Sequence, residues 1–122
     1  PALSSQEFIP DLVGLDAGGS VRLWVECGKV TMHKMGKLVR RLPGARVVVL
    51  KASEAEAKRL REDLRDKVDR SGLVEILAWP PGRFAEWTAA IAERTEVFGE
   101  ADGRSLNVVI NQRPFVVDLA SF

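Results

Sequence analysis

The sequence predicts one α/β domain built on a mixed sheet. Three observations carry this. Short β-branched runs alternate with amphipathic helical patterns through the middle of the chain, which favours parallel strands covered by helices. Turn signals flanked by apolar runs mark an antiparallel hairpin at each end. The chain has 122 residues, 46% of them hydrophobic and 29% charged, which fits a single domain spanning 1–122 that folds without disulfides or structural metal. The order strand–strand–helix–strand–helix–strand–helix–strand–strand excludes an all-β barrel and a helical bundle.

The first hairpin runs from Ile9–Leu15 to Val21–Glu26 around Asp16-Ala17-Gly18-Gly19-Ser20, where Val21, Leu23 and Val25 alternate with Arg22, Trp24 and Glu26. From Thr31, a fitting N-cap, a helix is expected to Leu42, with Met32, Met35, Leu38, Val39 and Leu42 on one stripe and Pro43-Gly44 as its stop. Arg46–Leu50 reads as a strand buried on both faces. Ser53 caps a charged helix reaching about Arg70, with Leu60, Leu64 and Val68 inward and Gly72 beyond its end. Leu73–Trp79 is a further strand, followed by a Pro80-Pro81-Gly82 turn. Phe84, Trp87, Ala90 and Ile91 form the core side of a third helix. Leu106–Ile110 and Phe115–Leu119 close the chain as a hairpin. Both terminal hairpins are expected to extend the one mixed sheet.

The charge balance, 18 Lys and Arg against 17 Asp and Glu, predicts no strong overall field. Yet Lys29, Lys34, Lys37, Arg40, Arg41, Arg46 and Lys51 follow one another with no acid between Gly28 and Lys51. One cysteine, Cys27, and one histidine, His33, exclude an intrachain disulfide, a cysteine zinc cluster and two-histidine chemistry. No apolar run approaches the roughly 20 residues of a membrane span and no secretory signal is evident, so a cytoplasmic location is the default expectation.

The chemistry concentrates in the first hairpin. If Gly18-Gly19 forms a two-residue turn, Ala17 faces Ser20 and Asp11 faces Glu26 across adjacent strands. A four-residue loop would instead pair Asp11 with Trp24. Carboxylates so placed repel, and a proton, a lysine or a divalent cation must compensate. Lys29 lies three residues beyond Glu26 and returns to the same side only if the strand ends or bulges at Cys27-Gly28.

Pro10-Asp11-Leu12, then Leu23-Trp24-Val25-Glu26-Cys27-Gly28-Lys29 at the end of the next strand, resembles the PD-(D/E)XK nuclease superfamily. Within it, the stretch looks like the YaeQ family, whose pattern is PDL followed by a W-(I/V)-(D/E)-x-G-Q-like segment. The resemblance implies a restriction-endonuclease-like core and a Mg2+- or Mn2+-dependent phosphodiesterase acting on nucleic acid. Asp11 and Glu26 would hold the metal and Lys29 would assist, standing where YaeQ-like members often have glutamine. The spacing here is E-x-x-K rather than E-x-K. The family core begins before the PD strand, whereas this chain starts nine residues before Pro10, so a supporting N-terminal segment is expected to be missing. The hairpin face of Leu12, Val21, Leu23 and Val25 would then be covered by a second copy or another segment. The alternative is a non-enzymatic binding module on the same fold.

Lys34, Lys37, Arg40 and Arg41 either track nucleic-acid phosphates or form the wet side of an amphipathic helix. Trp24, on the strand face of Glu26, either stacks a base or fills the core. Met32 and Met35 are expected as core filler, Cys27 as a small buried residue, and His33 at the surface.

Overall fold

A computed structural model describes residues 8–122; the first seven residues of the expected 1–122 domain lie outside that range. The strands are β1 (Leu12–Leu15), β2 (Val21–Cys27), β3 (Arg46–Lys51), β4 (Val74–Ala78), β5 (Val97–Asp102), β6 (Ser105–Ile110), β7 (Arg113–Asp118) and β8 (Ala120–Ser121). The helices are α1 (Met32–Arg41), α2 (Glu54–Lys67) and α3 (Arg83–Ala90). β1-β2-β3-β4-β8 form one sheet and β5-β6-β7 a second. The centre of the first sheet, β2-β3-β4, is parallel, with β1 and β8 antiparallel at its edges.

This mixed α/β architecture agrees with the sequence, with one correction. The C-terminal hairpin, β6-β7, does not extend the first sheet. It pairs with β5, and only the two residues of β8 return to β4. β5 carries no readable signal because all six of its residues are exposed. Gly99 in its middle adopts φ 145°, and a Cβ there would strike the Asn107 carbonyl and lie 2.7 Å from Val108 Cα. Only glycine allows so close a strand approach.

One core lies between the first sheet and the helices α1 and α2. Trp24, Val47, Val49, Val74, Ile76 and Ala78 meet Met35, Leu38 and Val39 from α1 and Ala57, Leu60 and Leu64 from α2. Thr31 caps α1 by accepting the Lys34 N–H, and Ser53 caps α2 by accepting that of Glu56. α2 stops at Lys67, short of the expected Arg70, because Val68–Arg70 turn away into a single 3₁₀ turn at Ser71–Leu73. The second core joins Trp79, Val108, Ile110, Phe115 and Val117, with Leu50, Trp87 and Ala90 against them. The core side expected for α3 is only half-covered: Phe84 and Ile91 remain 40% and 46% exposed.

The first hairpin reaches its register by an unexpected route. Asp16 N–H donates to Ser20 O (2.9 Å) and Gly19 N–H to Asp16 O (3.0 Å), so the loop holds three residues rather than two. An irregularity between Gly14 and Leu15 then restores the pairs Gly14–Leu23, Val13–Trp24 and Leu12–Val25, the register a two-residue turn would have produced. Asp16 anchors the loop. The Ser20 N–H and the Arg22 guanidinium, then the Gly18 N–H, hold its carboxyl below the usual range against a smaller opposing effect of desolvation. Of the hairpin residues expected to form an apolar face, Leu12 is exposed and Leu23 and Val25 are half-buried, whereas Val21 packs against the first core.

Arg61 ties Phe122 to this core. Its guanidinium donates to Phe122 O (2.9 Å), Ser71 O (2.9 Å) and Val74 O (2.6 Å), while Phe122 N–H donates to Ile76 O (2.9 Å). Replacing Arg61 by Leu removes three charge-assisted hydrogen bonds, although Ser71 O keeps the Val74 N–H, and is expected to cost about 2–3 kcal/mol, read as a lower urea midpoint with unchanged slope.

Candidate functional site

The site is built where β1 and β2 end beside the first turn of α1. Period-two alternation puts Trp24 and Glu26 on the face that α1 covers. Trp24 is fully buried, so it is core and not a base-stacking platform, and Glu26 is 4% exposed. A carboxylate at that depth needs partners, and both its oxygens have one. Trp24 Nε1 donates to Glu26 Oε2 at 2.7 Å, and Lys34 Nζ stands 2.9 Å from Oε1. The Lys34 ammonium also lies 5.4 Å from the Phe8 ring centroid, with Lys37 at 5.9 Å from the same ring.

Asp11 sits just before β1. Its N–H donates to Val25 O (3.1 Å) and its Oδ2 accepts the Cys27 N–H (2.7 Å). The carboxylate thus replaces a strand carbonyl at the frayed end of the ladder. The Cys27 thiol lies within the field of both acids. Partial burial pushes its pKa up, and the charges of Asp11 and then Glu26 push it further. Cys27 itself is exposed, not buried as expected, because at the end of β2 alternation turns it to the face opposite Glu26, which α1 does not cover.

The strand end anticipated at Cys27-Gly28 is present, with Gly28 at φ 79°. Lys29 follows it, exposed. The ammonium that meets Glu26 is Lys34's, and Lys51 reaches the same turn, donating from Nζ to Gly28 O at 2.5 Å. Sequence reasoning placed Lys34 with the phosphate-tracking cations and did not connect it to Glu26. The available signal was its position at the edge of the α1 stripe, one residue before buried Met35. Among the described residues, no group of three or more His, Cys, Asp or Glu side chains converges.

The basic residues of α1 divide into two stripes at helical spacing. Lys34, Lys37 and Arg41 share one, on the side of Phe8 and Glu26. Arg40 falls on the other with His33 and Gly36, lining a cavity shared with Lys67 and Arg70. No helix among the described residues is long and apolar enough to cross a membrane.

No protein-family model matches the sequence, and no curated protein is significantly similar to it. In fold the chain is similar to crystallographically determined YaeQ proteins. The YaeQ protein from Pseudomonas syringae aligns over 93% of this chain and 61% of its own, with a TM-score of 0.65 at 14% identity. The YaeQ protein from Xanthomonas axonopodis pv. citri aligns over 99% of this chain and 67% of its own, with a TM-score of 0.66 at 16% identity. The chain therefore has a YaeQ-like fold and spans about three-fifths to two-thirds of the length of these proteins.

Two outcomes follow from the geometry. Lys34→Met leaves a buried carboxylate with one donor and should cost roughly 3–5 kcal/mol. Glu26→Gln leaves an ammonium that can turn to water, so it should cost less in the same denaturant titration. The thiolate is the reactive form of cysteine, so Asp11→Asn should speed alkylation of Cys27 a few-fold at mildly alkaline pH, read by mass spectrometry of the single thiol.

Proposed function

We propose that the chain is a PD-(D/E)XK-type domain that hydrolyses phosphodiester bonds in nucleic acid, with Asp11 and Glu26 as the ligands of a Mg2+ or Mn2+ ion. One arrangement carries this reading: two acids from the ends of adjacent strands, with an ammonium 2.9 Å from one of them. The donor set fits such an ion. Trp24 and the Cys27 N–H each engage one oxygen of a carboxylate and so orient it. That leaves Asp11 Oδ1, together with Glu26 Oε1, whose partner is an ammonium with 20% of its side chain exposed. Mg2+ is commonly bound through one or two carboxylates, with water and substrate phosphate completing its shell.

The metal, when bound, would supply polarisation of the phosphate and acidification of a water. The protein's own part is positional. Glu26 and Asp11 hold the charge in place. Lys34, released from Glu26 Oε1, offers its ammonium to the negative charge that develops on the phosphate, a role the family pattern would give to Lys29. Lys37 and Arg41, on the same stripe, lie along the path of a nucleic-acid backbone.

A second reading has one observation in its favour. Both Glu26 oxygens already have protein partners, so Lys34 can serve as the permanent counter-ion of a non-enzymatic interaction module. Titration with Mg2+ and Mn2+ separates the two. The enzyme reading expects the metal to speed Cys27 alkylation by neutralising the adjacent acids and to support cleavage of an oligonucleotide. Both responses should vanish in Asp11→Asn and Glu26→Gln. Identical behaviour of wild type and Glu26→Gln throughout the titration leaves the interaction module.

A further inference from the structure

We infer that the pocket between α1 and the chain leaving α2 is a second site, which binds a dianionic phosphate group: inorganic phosphate or a phosphate monoester. It does not depend on the reading of Asp11 and Glu26. The cavity measures about 350 Å³ and is lined by His33, Gly36, Arg40, Lys67, Asp69 and Arg70 among others. That volume lies at the small end of ligand pockets and suits a phosphate with its water.

Three cations from separate segments line this cavity: Arg40 from α1, Lys67 from the last turn of α2, and Arg70 from the loop. None of their side chains forms an ion pair or hydrogen bond with another described residue. All three are exposed, so water screens their mutual repulsion, and a small anion in the cavity would be attracted by all of them. Asp69 cancels one charge, and the carboxyl end of α2 contributes about half a negative charge. The three cations outweigh both. Two arginines offer planar forks suited to phosphate oxygens, and lysine a point charge.

Two features of the backbone point the same way. Arg70 adopts φ 56°, ψ 37°, a left-handed conformation that glycine or asparagine would hold with less strain. A functional arginine is worth that strain. Gly36 stands inside α1, where alanine would favour the helix. A Cβ there would only touch Arg40 Nη1 at 3.5 Å, so the fold tolerates alanine, and the glycine keeps the pocket wall low beside the guanidinium.

His33 is the only histidine and lines the pocket, so its ring protons are a built-in reporter. The chain is titrated with inorganic phosphate at fixed pH and ionic strength, with chloride as the balancing salt and a chelator present. The chelator makes the outcome separate from any metal response at Asp11 and Glu26. A saturable shift of the His33 ring signals is expected. Lys67→Gln and Arg70→Gly should each weaken binding about tenfold, the loss of one charge-assisted contact. Arg70→Gly relieves the strained turn and should not lower the melting temperature. A monoester such as a nucleoside monophosphate should bind as inorganic phosphate does, and a dinucleoside monophosphate, a diester, more weakly. A shift that only follows ionic strength overturns the inference, as does an Arg70→Gly chain that binds as tightly as wild type. Saturation by the diester but not by inorganic phosphate overturns it too.

Discussion

A buried carboxylate organises the most informative corner of this molecule. Glu26 sits 4% exposed on the central parallel strands, and an ionised acid at that depth is costly without close partners. Its demand is met by the indole two residues before it and by an ammonium eight residues after it. The first bond holds Trp24 in the core. The second agrees with the rotation of α1 set by its apolar stripe, which turns Met35, Leu38 and Val39 into the sheet. The same rotation sends Lys37 toward Phe8 and Arg40 away from it, toward Lys67 and Arg70.

Two cores share the first sheet. Among the described residues, the buried part of the face under α1 and α2 is apolar apart from Glu26. On the other face, Leu50 and Trp79 meet α3 and the three-stranded sheet, and Val48 is buried as well. The Arg46–Glu75 pair bridges neighbouring strands at 2.8 and 2.9 Å. At 63% and 39% side-chain exposure it adds little stability. What joins the layers is aromatic packing. Trp79 contacts Phe84, Trp87 and Phe115 with ring centroids 5.5–6.2 Å apart, and Trp87 adds Phe115 at 5.5 Å.

Most of the fold was legible because its core obeys simple periods. Val47, Val49, Val74 and Ile76 are runs too apolar to be anything but buried strands, and Leu60, Leu64 and Val68 mark α2 at helical spacing. β5 was not legible: Val97 and Phe98 point to opposite faces of an exposed strand and Gly99 interrupts it. Nor was β8, since two residues carry no period. At the site, the shared face of Trp24 and Glu26 follows from alternation alone. The partner of Glu26 does not. It depends on how Gly28–Thr31 leads into α1, and that path is set by Gly28 at positive φ and Lys51 on its carbonyl. Fold similarity at 14–16% identity supports the architecture and leaves these side-chain details to the chain itself.

The antiparallel cap on β4 has a consequence for the order of assembly. β4 is made at residues 74–78, but its outer neighbour is Ala120–Ser121, and the carbonyl of Phe122 is held by Arg61. During synthesis, the parallel core of β2, β3 and β4 can form around α1 and α2 while one hydrogen-bonding edge still lacks its partner. It stays so until more than forty further residues have emerged. An unpaired strand edge is a template for misassociation. The nascent chain is therefore vulnerable after its main core exists, and residues 120–122 act as the latch that ends that exposure.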